Sequence, residues 1–378
     1  MSVKVGGIIQ AGSGLPNEVR DELSRIADDV DFDDCDDYFV DLCFLTYPAR
    51  KPTPDNAAGV GIRPGAVGRS KKRFIINLEV PPSLEDRAAY RAWYGHALKR
   101  AATITREYLP RKGRSYPAER LASELDALSE RWEIEIKRLS DLKRVAELAD
   151  PFDPDRSDLD VYAAMVEEFG ATSVVDIGCG TGTFACMLAT RGVHVVGVDP
   201  APASVDIART KPGAGRVRWF TRDVTSLPPL QVDAAFMTAN VAQVFVTDEE
   251  WMSTLAAIHR SLRPGGTLVF ETRDPSREAW RDWTRDKTHE RVEVPGIGYV
   301  ETRCDLLEVA LPLVSFRWTN IFESDGVVID SDSTLRFRSR DEIEEQLAMA
   351  GFRVDEVRDA PDRPGREFVF LCSTLPAS

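Results

Sequence analysis

One short segment constrains this chain more than any other, because it brings an acid and three glycines into one tight turn. The segment reads Val174-Val175-Asp176-Ile177-Gly178-Cys179-Gly180-Thr181-Gly182. The residues before it predict a buried strand, and apolar residues recur after it at helical spacing, at Phe184, Ala185, Met187 and Leu188. Glycines at alternate positions let the backbone approach a ligand closely, and a helix start offers unpaired N–H groups. We therefore predict a ligand-binding turn between a strand and a helix, rather than a glycine-rich turn without function.

Downstream segments extend this into a longer pattern of strands that end near polar residues. Three strand-like segments come first: residues 193–198 followed by Asp199, residues 220–224 with Asp223 inside them, and residues 232–237 followed by Asn240. A turn at 262–266 then precedes a strand at 267–270. A helix at 341–350 is followed by two strands, at 352–357 and 367–372. Together with the glycine turn, this order resembles the class I S-adenosylmethionine (SAM) dependent methyltransferases, whose first motif is acid-x-Gly-x-Gly-x-Gly. The resemblance covers about residues 150 to 376.

The resemblance implies an α/β fold and a cofactor. The fold would be a doubly wound, seven-strand Rossmann-like methyltransferase domain with an inserted antiparallel sheet. In that family the acid after the second strand binds both ribose hydroxyls of SAM, and the acid after the third strand meets the adenine amino group. The positions implied to bind SAM here are Asp176, Gly178, Cys179, Gly180, Gly182, Asp199, Pro200, Asp223, Val224 and Asn240.

The nearest alternative is a nicotinamide-binding Rossmann domain, in which an acid also follows a glycine turn by about 20 residues. Its fingerprint places the third glycine three residues after the second, whereas Gly182 follows Gly180 by two. A carboxylate at Asp176 would repel a pyrophosphate, but it suits a cationic methionine moiety. The spacing and the charge both favour the methyltransferase.

The sequence before residue 149 has a different character. We divide the chain into a small α+β domain at 1–115, a helical linker at 116–148 and the methyltransferase domain at 149–378. In the first domain we predict strands at 3–10, 38–47 and 73–80, helices at 17–27 and 83–109, a solvated acidic loop at 28–41 and a mobile loop at 48–70. The pattern of this domain predicts no particular role.

An apolar stripe runs through the linker from Leu121 to Leu148, with a large residue every three or four positions. It predicts one long helix or two in series. The stripe must be buried, either against the body of one of the two domains or as the seam of a homodimer.

Composition limits the partners. The chain has 378 residues, 43% of them hydrophobic, which is enough for two cores. Its net charge of -14 argues against a nucleic-acid partner, and Thr238-Ala239-Asn240-Val241 lacks the Pro-Pro-aromatic sequence of enzymes that methylate a flipped base. The basic run Lys71-Lys72-Arg73 is short and typical of a solvated strand edge or loop.

Cysteine spacing and hydropathy indicate the compartment. The six cysteines show no C-x-x-C spacing, so we predict neither a disulfide framework nor a metal site. The first ten residues lack the features of a secretion signal, and no apolar stretch approaches the roughly 18 residues of a membrane span. We therefore expect a cytoplasmic protein that makes no contact with membranes.

Residues 290–338 are the best guide to the methyl acceptor. They contain strand-like runs at 298–308, 313–322 and 334–337, with a turn at 324–326. In class I enzymes that act on small molecules, insertions at this place often form a sheet that roofs the acceptor pocket, so the resemblance implies a small-molecule acceptor. The alternative is that these strands only extend the sheet or make a dimer contact.

Methyl transfer from a sulfonium needs alignment and exclusion of water more than a catalytic group. His289 is nevertheless a candidate general base, although an exposed loop or helix-end histidine explains it as well. Arg273 and Asp274 follow the fifth strand of the predicted sheet, where an acceptor would be oriented. Trp280 and Trp283 are candidates for the pocket wall, unless they only pack a helix.

These observations lead to one function and two alternatives. We predict transfer of a methyl group from SAM to a small-molecule acceptor, on an oxygen, nitrogen or carbon atom that the sequence does not specify. The first alternative is a regulatory or partner-binding protein that only senses SAM. The second is a methyltransferase that acts on protein or RNA.

Overall fold

A computed structural model gives the fold of the protein. It describes residues 3–9, 38–45, 62–67 and 71–79, five helical positions between 98 and 106, and residues 118–375 except residue 361. The chain divides into two compact units, Met1–Ser140 and Asp141–Ser378. This division lies inside a long helix, α1 (Ala118–Ala146). The domain boundaries at 115/116 and 148/149 stay predictions.

The first unit contains a four-stranded sheet. Its strands are β1 (Val3–Ile9), β2 (Tyr38–Leu45), β3 (Ile62–Val67) and β4 (Lys71–Glu79). They lie in the order β1-β2-β4-β3, with β3 antiparallel to β4 and the other pairs parallel. The three predicted strands are confirmed.

Two predictions for this unit are wrong. Residues 62–67 form β3, where a mobile loop was expected at 48–70, because Pro64 and Gly65 conceal a strand that lies at the sheet edge, where proline is tolerated. Lys71-Lys72-Arg73 begin β4, which is an inner strand rather than an edge. The predicted helix at 17–27 and the acidic loop at 28–41 lie almost entirely outside the residues described.

The predicted apolar stripe forms a single helix, α1, followed by a short helix, α2 (Ala149–Phe152). At its carboxy-terminal end, Val145 and Leu148 pack against Val294, Val300 and Phe322 of the second unit. Leu142, one turn earlier, is 45% exposed. The end of the stripe is therefore buried within its own chain, and a homodimer through the rest of the linker stays a prediction.

The second unit is built on a seven-stranded sheet. Its strands are β5 (Ser173–Ile177), β6 (His194–Asp199), β7 (Val217–Thr221), β8 (Val232–Met237), β9 (Leu262–Arg273), β14 (Phe352–Asp359) and β15 (Glu367–Thr374). The strand order is β14-β15-β9-β8-β5-β6-β7, and β5 to β9 run parallel while β14 and β15 form an antiparallel hairpin. The predicted doubly wound sheet with its closing hairpin is confirmed.

Helices cover both faces of this sheet. They are α3 (Asp158–Glu168), α4 (Thr183–Thr190), α5 (Pro202–Ala208), α6 (Asp248–Ser261) and α8 (Arg340–Met349). One face buries Trp251, and the rings of Phe270 and Phe370 stack there at 5.1 Å. The other face buries Phe184 and Phe236. Because both faces are buried, β8 is a continuous run of buried residues and gives no alternating pattern.

The fifth strand differs from its prediction. It begins at Leu262, where a turn was expected, because Leu262 pairs with Val232 and the residues that follow form an irregular bulge within the strand. The bulge contains the sequence Arg263-Pro264-Gly265-Gly266, which is typical of a turn. The strand ends at Arg273, so Arg273 is its last residue and not the residue after it.

A second, antiparallel sheet is inserted between β9 and α8, as predicted. Its strands, in spatial order, are β10 (Glu290–Val294), β11 (Gly298–Ala310), β12 (Leu313–Phe322) and β13 (Val327–Arg336). A short helix, α7 (Arg285–Thr288), precedes it. The strand predicted at 334–337 begins seven residues earlier, at Val327. The part of β13 before residue 334 carries Asp330 and Asp332, which accept hydrogen bonds from Thr319 and Arg317 of β12 and interrupt an apolar pattern.

Candidate active site

The carboxyl edge of the parallel sheet gathers most of the predicted site residues. Asp176 lies one residue before the end of β5, Asp199 ends β6, Asp223 follows β7, Asn240 follows β8 and Arg273 ends β9. Since these strands are parallel, their ends meet at one edge. Ligands of doubly wound sheets bind at this edge, next to the point where the strand order reverses. Here that point lies between β5 and β8.

The three glycines of the turn all adopt left-handed backbone angles, with φ of 69°, 53° and 78° at Gly178, Gly180 and Gly182. A Cβ atom on Gly178 would lie 2.6 Å from the side chain of Val241, and one on Gly182 would lie 2.5 Å from the ring of Trp219. A Cβ atom on Gly180 would meet nothing within 4 Å. Two of the glycines therefore serve packing within the protein, and Gly180 borders open space.

Asp176 is the most unusual group at this edge. Its side chain is buried, with 1% exposure, and its Oδ2 atom has no hydrogen-bond partner. The carboxylate accepts one hydrogen bond from the backbone N–H of Ala185, in the first turn of α4. Burial and the nearby charge of Asp199 raise the pKa of Asp176 to about 7, although Arg156 opposes the shift. A buried oxygen without a donor is costly, so a ligand that brings an N–H group is favoured here.

Asp199 is held in place by the glycine turn. Its Oδ2 atom accepts a hydrogen bond from Gly180 N at 3.0 Å, and its Oδ1 atom accepts one from Ala201 N at 2.7 Å. Each oxygen keeps further acceptor capacity, so the carboxylate is oriented but still able to accept two hydroxyl groups. Pro200, which follows it, is exposed.

The positions around the next strand are also ordered. Asp223 is exposed and caps a short helical turn at Val224–Ser226 by accepting a hydrogen bond from Thr225 N at 2.8 Å. Val224 is buried beside it. In the glycine turn, burial raises the pKa of the Cys179 thiol, so the thiol is neutral and unsuited to act as a nucleophile.

A cluster that the sequence did not reveal braces the glycine turn from outside. Lys211 Nζ donates hydrogen bonds to Asp150 at 2.7 Å, to Thr181 at 3.0 Å and to Thr183 at 2.7 Å. These bonds use all three ammonium protons. They connect α2, the glycine turn and α4, and so hold the turn in place.

Asn240 belongs to a buried polar network. It adopts a left-handed φ of 60°, and its backbone N–H donates to Glu271 Oε1 at 3.0 Å. Its side-chain Nδ2 donates to both oxygens of Glu367, at 3.3 and 3.2 Å, while its Oδ1 has no partner. The side-chain amide is thus partly engaged by the protein, and a role for Asn240 in cofactor binding stays a prediction.

The other members of this network were not among the predicted site residues. The Tyr162 hydroxyl donates to Glu271 Oε2, and Arg363 donates to Glu367 at 2.8 Å. Burial raises the pKa of Glu271. One signal was present: Glu271 directly follows the apolar run Leu268 to Phe270 within β9, and a buried acid usually has a specific partner.

Arg273 links the sheet edge to the inserted sheet. Its Nη1 donates to Gln243 Oε1 at 2.8 Å, and its guanidinium carbon lies 5.7 Å from the ring centre of Trp283. Trp283 in turn contacts Phe316 of β12, with ring centres 4.6 Å apart. Trp280 contacts Phe337 at the same separation. Trp283 therefore connects the inserted sheet to the end of β9, whereas Trp280 packs with Phe337 and Val314. A role for either tryptophan in the pocket wall stays a prediction.

Two further candidates lie elsewhere. His289 follows α7, is half-exposed and has Glu301 of β11 as its partner, at 3.5 Å. This environment fits the alternative of an exposed loop or helix-end histidine. The role of His289 as a general base stays a prediction. Asp274 caps a local turn by accepting from Ser276 N. Over the ranges that the structure describes, no three His, Cys, Asp or Glu side chains are grouped as a metal site, and no helix is long and apolar enough to cross a bilayer.

Comparison with known proteins agrees with this geometry. Residues 174–266 match a family model described as "Methyltransferase domain". This segment is a class I SAM-dependent methyltransferase domain. The matched residues begin in β5 and end in the bulge of β9, so they include the glycine turn, Asp199, Asp223 and Asn240.

Curated relatives resemble the same part of the methyltransferase domain. The chain is 33% identical over 103 residues to a malonyl-[acyl-carrier protein] O-methyltransferase of Serratia marcescens. The aligned residues make up 26% of this chain and 37% of that protein. It is 38% identical over 100 residues to a demethylmenaquinone methyltransferase of Thermus thermophilus, which is 25% of this chain and 44% of that protein. The match thus spans about two fifths of the length of these relatives.

A solved structure extends the likeness to the whole fold of the second unit. A SAM-dependent methyltransferase from Clostridium acetobutylicum superposes with a TM-score of 0.51 over 62% of this chain and 98% of that one. The sequence identity is 15%, so the comparison bears on the fold alone.

Proposed function

We propose that this protein transfers a methyl group from SAM to a small-molecule acceptor. The observation that carries the proposal is Asp176, a buried carboxylate with an unpaired oxygen beside the glycine turn of a methyltransferase domain. When bound, SAM supplies a methyl group on a sulfonium that already carries its leaving group. The residues present fit this cofactor, because they offer acceptors for its ammonium and hydroxyl groups and open space at Gly180.

Each acid would hold a different part of the cofactor. Asp176 would accept hydrogen bonds from the ammonium group, which supplies the missing donor for Oδ2. Asp199, already oriented by Gly180 and Ala201, would accept the two ribose hydroxyls. Asp223, exposed at the end of β7, would meet the adenine amino group. These carboxylates position the cofactor, and none of them takes part in bond making.

The inserted sheet and the tryptophans would hold the acceptor. Trp283 lies between Phe316 of β12 and Arg273 at the end of β9, and Trp280 packs on Phe337. The two rings would exclude water from the reacting atoms and restrict the acceptor to one approach. The relatives named above are a malonyl-[acyl-carrier protein] and a demethylmenaquinone methyltransferase, which supports an organic acceptor. The net charge of -14 supports the same choice over a nucleic acid. The free buried cysteines support a reducing compartment such as the cytoplasm.

The first test is cofactor binding by calorimetry. Asp199→Ala removes the proposed ribose acceptor and should weaken SAM binding by about 1.5 to 3 kcal/mol, the range for hydrogen bonds to a charged group. Asp206→Ala is the matched control, because Asp206 is an exposed acid on the adjacent helix α5 with only a surface ion pair to Arg209. Equal affinity in all three proteins would contradict the site.

The second test is turnover. The protein is incubated with methyl-labelled SAM and a metabolite extract, and mass spectrometry searches for a labelled small molecule. Labelled protein or RNA with no labelled metabolite would favour a macromolecular acceptor. Tight SAM binding without turnover in any pool would favour a regulatory protein.

A further inference from the structure

The surroundings of Arg273 indicate which class of acceptor the protein methylates, and this inference rests on the proposed function. We infer that Arg273 binds a carboxylate of the acceptor, and that the protein therefore methylates an organic acid.

Arg273 is joined to the glycine turn through one short segment. Val241 packs directly over Gly178, where any side chain would clash with it. Gln243 lies two residues further on, in the same helical turn, and its Oε1 accepts from Arg273 Nη1 at 2.8 Å. The guanidinium is thus placed one side chain away from the segment that covers the cofactor turn.

On its other side, Arg273 faces the aromatic wall. The ring of Trp283 lies 5.7 Å from the guanidinium carbon, and Trp283 is itself only half-buried. Val244, in the same turn as Gln243, exposes 52% of its surface. An acceptor with an apolar body and one charged end would find both kinds of contact within this small region.

The hydrogen bond to Gln243 orients the Arg273 guanidinium but leaves several of its N–H donors without an acceptor. Glu367 forms an ion pair with Arg273 at 3.7 Å, which is longer than a hydrogen bond, and Glu271 is a second acid whose charge acts on Arg273. Glu367 is engaged elsewhere, because it accepts from Arg363 at 2.8 Å and from the amide of Asn240. A guanidinium has five N–H donors, and of these one is committed to Gln243.

A ligand can reach the donors that Arg273 keeps, since none of its side-chain nitrogens is fully buried without a partner. The Arg273 side chain is 21% exposed, and burial lowers its pKa, although the group stays charged. A carboxylate would satisfy two of the remaining donors at once and would fit the planar fork. A neutral amide of the same shape would satisfy them less well and would bring N–H groups toward a cation.

The experiment compares benzoate with benzamide, which have the same shape and differ in charge. Binding of each to the full-length protein is measured by calorimetry, with and without S-adenosylhomocysteine. We expect benzoate to bind at least about tenfold more tightly than benzamide. Arg273→Met should reduce this ratio to near one. Arg273→Lys, which keeps the charge but loses the fork, should leave an intermediate ratio.

Arg353→Met is the matched control, because Arg353 is an exposed arginine on the edge strand β14 with Asp355 as its partner. It should leave the ratio unchanged. The affinity for S-adenosylhomocysteine, measured in every variant, should stay within about threefold and shows that each protein is folded. If Arg273→Met does not fold, Arg273→Lys takes its place in the test, and a ratio of benzoate to benzamide binding equal to that of the parent protein would then contradict the inference.

Equal binding of benzoate and benzamide by the parent protein, or a ratio that survives Arg273→Met, would overturn the inference. Arg273 would then serve only to join the two sheets. A failure of the proposed function would look different, since the parent protein would not bind S-adenosylhomocysteine while the preference for benzoate persisted.

Discussion

Asp176 should release a proton when the cofactor binds, and this makes the affinity depend on pH. In the ligand-free protein its pKa is about 7, because the carboxyl group is buried and lies near Asp199. An ammonium ligand pairs with the ionised form only. Binding is therefore linked to deprotonation, and affinity should rise with pH until the group is fully ionised.

The size of the effect follows from the pKa. With a value of about 7, roughly one molecule in eleven is ionised at pH 6 and ten in eleven at pH 8, so the dissociation constant should fall about tenfold over this interval. Stability without ligand should change in the opposite direction. Between 3.8 and about 7 the folded protein holds a proton that the unfolded chain has lost, so the contribution of Asp176 to stability falls as the pH rises.

Calorimetry with S-adenosylhomocysteine measures this directly, because its ammonium group stays protonated over the range. Titrations at pH 6, 7 and 8 in two buffers of different ionisation enthalpy give both the affinity and the number of protons released. We expect release of about half a proton at pH 7. Asp176→Asn should bind more weakly at pH 8 and should lose the dependence on pH.

Two results would refute the reasoning. The first is an affinity of the parent protein that is equal at pH 6 and pH 8. The second is an Asp176→Asn protein that keeps the parental slope, since the titrating group would then be another residue, such as one of the four histidines.

Two further predictions concern stability. Gly182→Ala forces a methyl group to within 2.5 Å of Trp219 at a left-handed φ of 78°, so it should lower the free energy of unfolding by about 2 to 4 kcal/mol in urea titrations. Gly215→Ala is the control, because its position is exposed and has open space, and it should change this free energy by less than about 1 kcal/mol. Equal effects of the two substitutions would contradict the packing argument. Trp280→Ala removes a buried ring that contacts Phe337, so it should lower the free energy of unfolding by about 3 to 5 kcal/mol. The folded variant should keep its affinity for S-adenosylhomocysteine. A loss of that affinity would mean that the inserted sheet also shapes the cofactor site.

The parallel sheet and the glycine turn could be predicted because their determinants are local. β5, its acid Asp176 and the next helix lie between residues 173 and 190, so a short window contains the whole pattern. The positions of Asp199 and Asp223 follow from the same rule, applied to the next two strands. The window could not show why positions 178 and 182 are glycines, because these positions pack against Val241 of the helical turn after β8 and Trp219 of β7, which lie elsewhere in the sequence.

The buried network could not be predicted because its members are distant in sequence. Tyr162 and Glu271 are 109 residues apart, and Asn240 and Glu367 are 127 apart. Their contact depends on the antiparallel register that places Glu367 opposite Arg273. No periodicity in one segment specifies that register. The boundaries of β3 and β13 were missed for a related reason, because proline or paired acids replace the apolar alternation there.

The last prediction concerns the start of the methyltransferase domain, which the sequence places at residue 149. The structure gives the residues just before it a role in the second unit. Leu148 is 5% exposed and Val145 packs beside it on the inserted sheet. Arg144 binds Asp325 through two hydrogen bonds, at 2.9 and 3.1 Å, and lies 3.8 Å from the ring centre of Phe322.

A fragment of residues 141–378 should therefore be more stable than one of residues 149–378. Burial of Leu148 and part of Val145, with the small contribution of a half-exposed ion pair, amounts to about 3 kcal/mol. For a chain of this size, the midpoint of thermal unfolding should differ by roughly 6 to 12 °C. Both fragments should bind SAM, because every proposed cofactor residue lies beyond residue 149. A longer fragment with no gain in stability would show that α1 does not belong to the second unit. A folded fragment that binds no SAM would show that the first 140 residues complete the site.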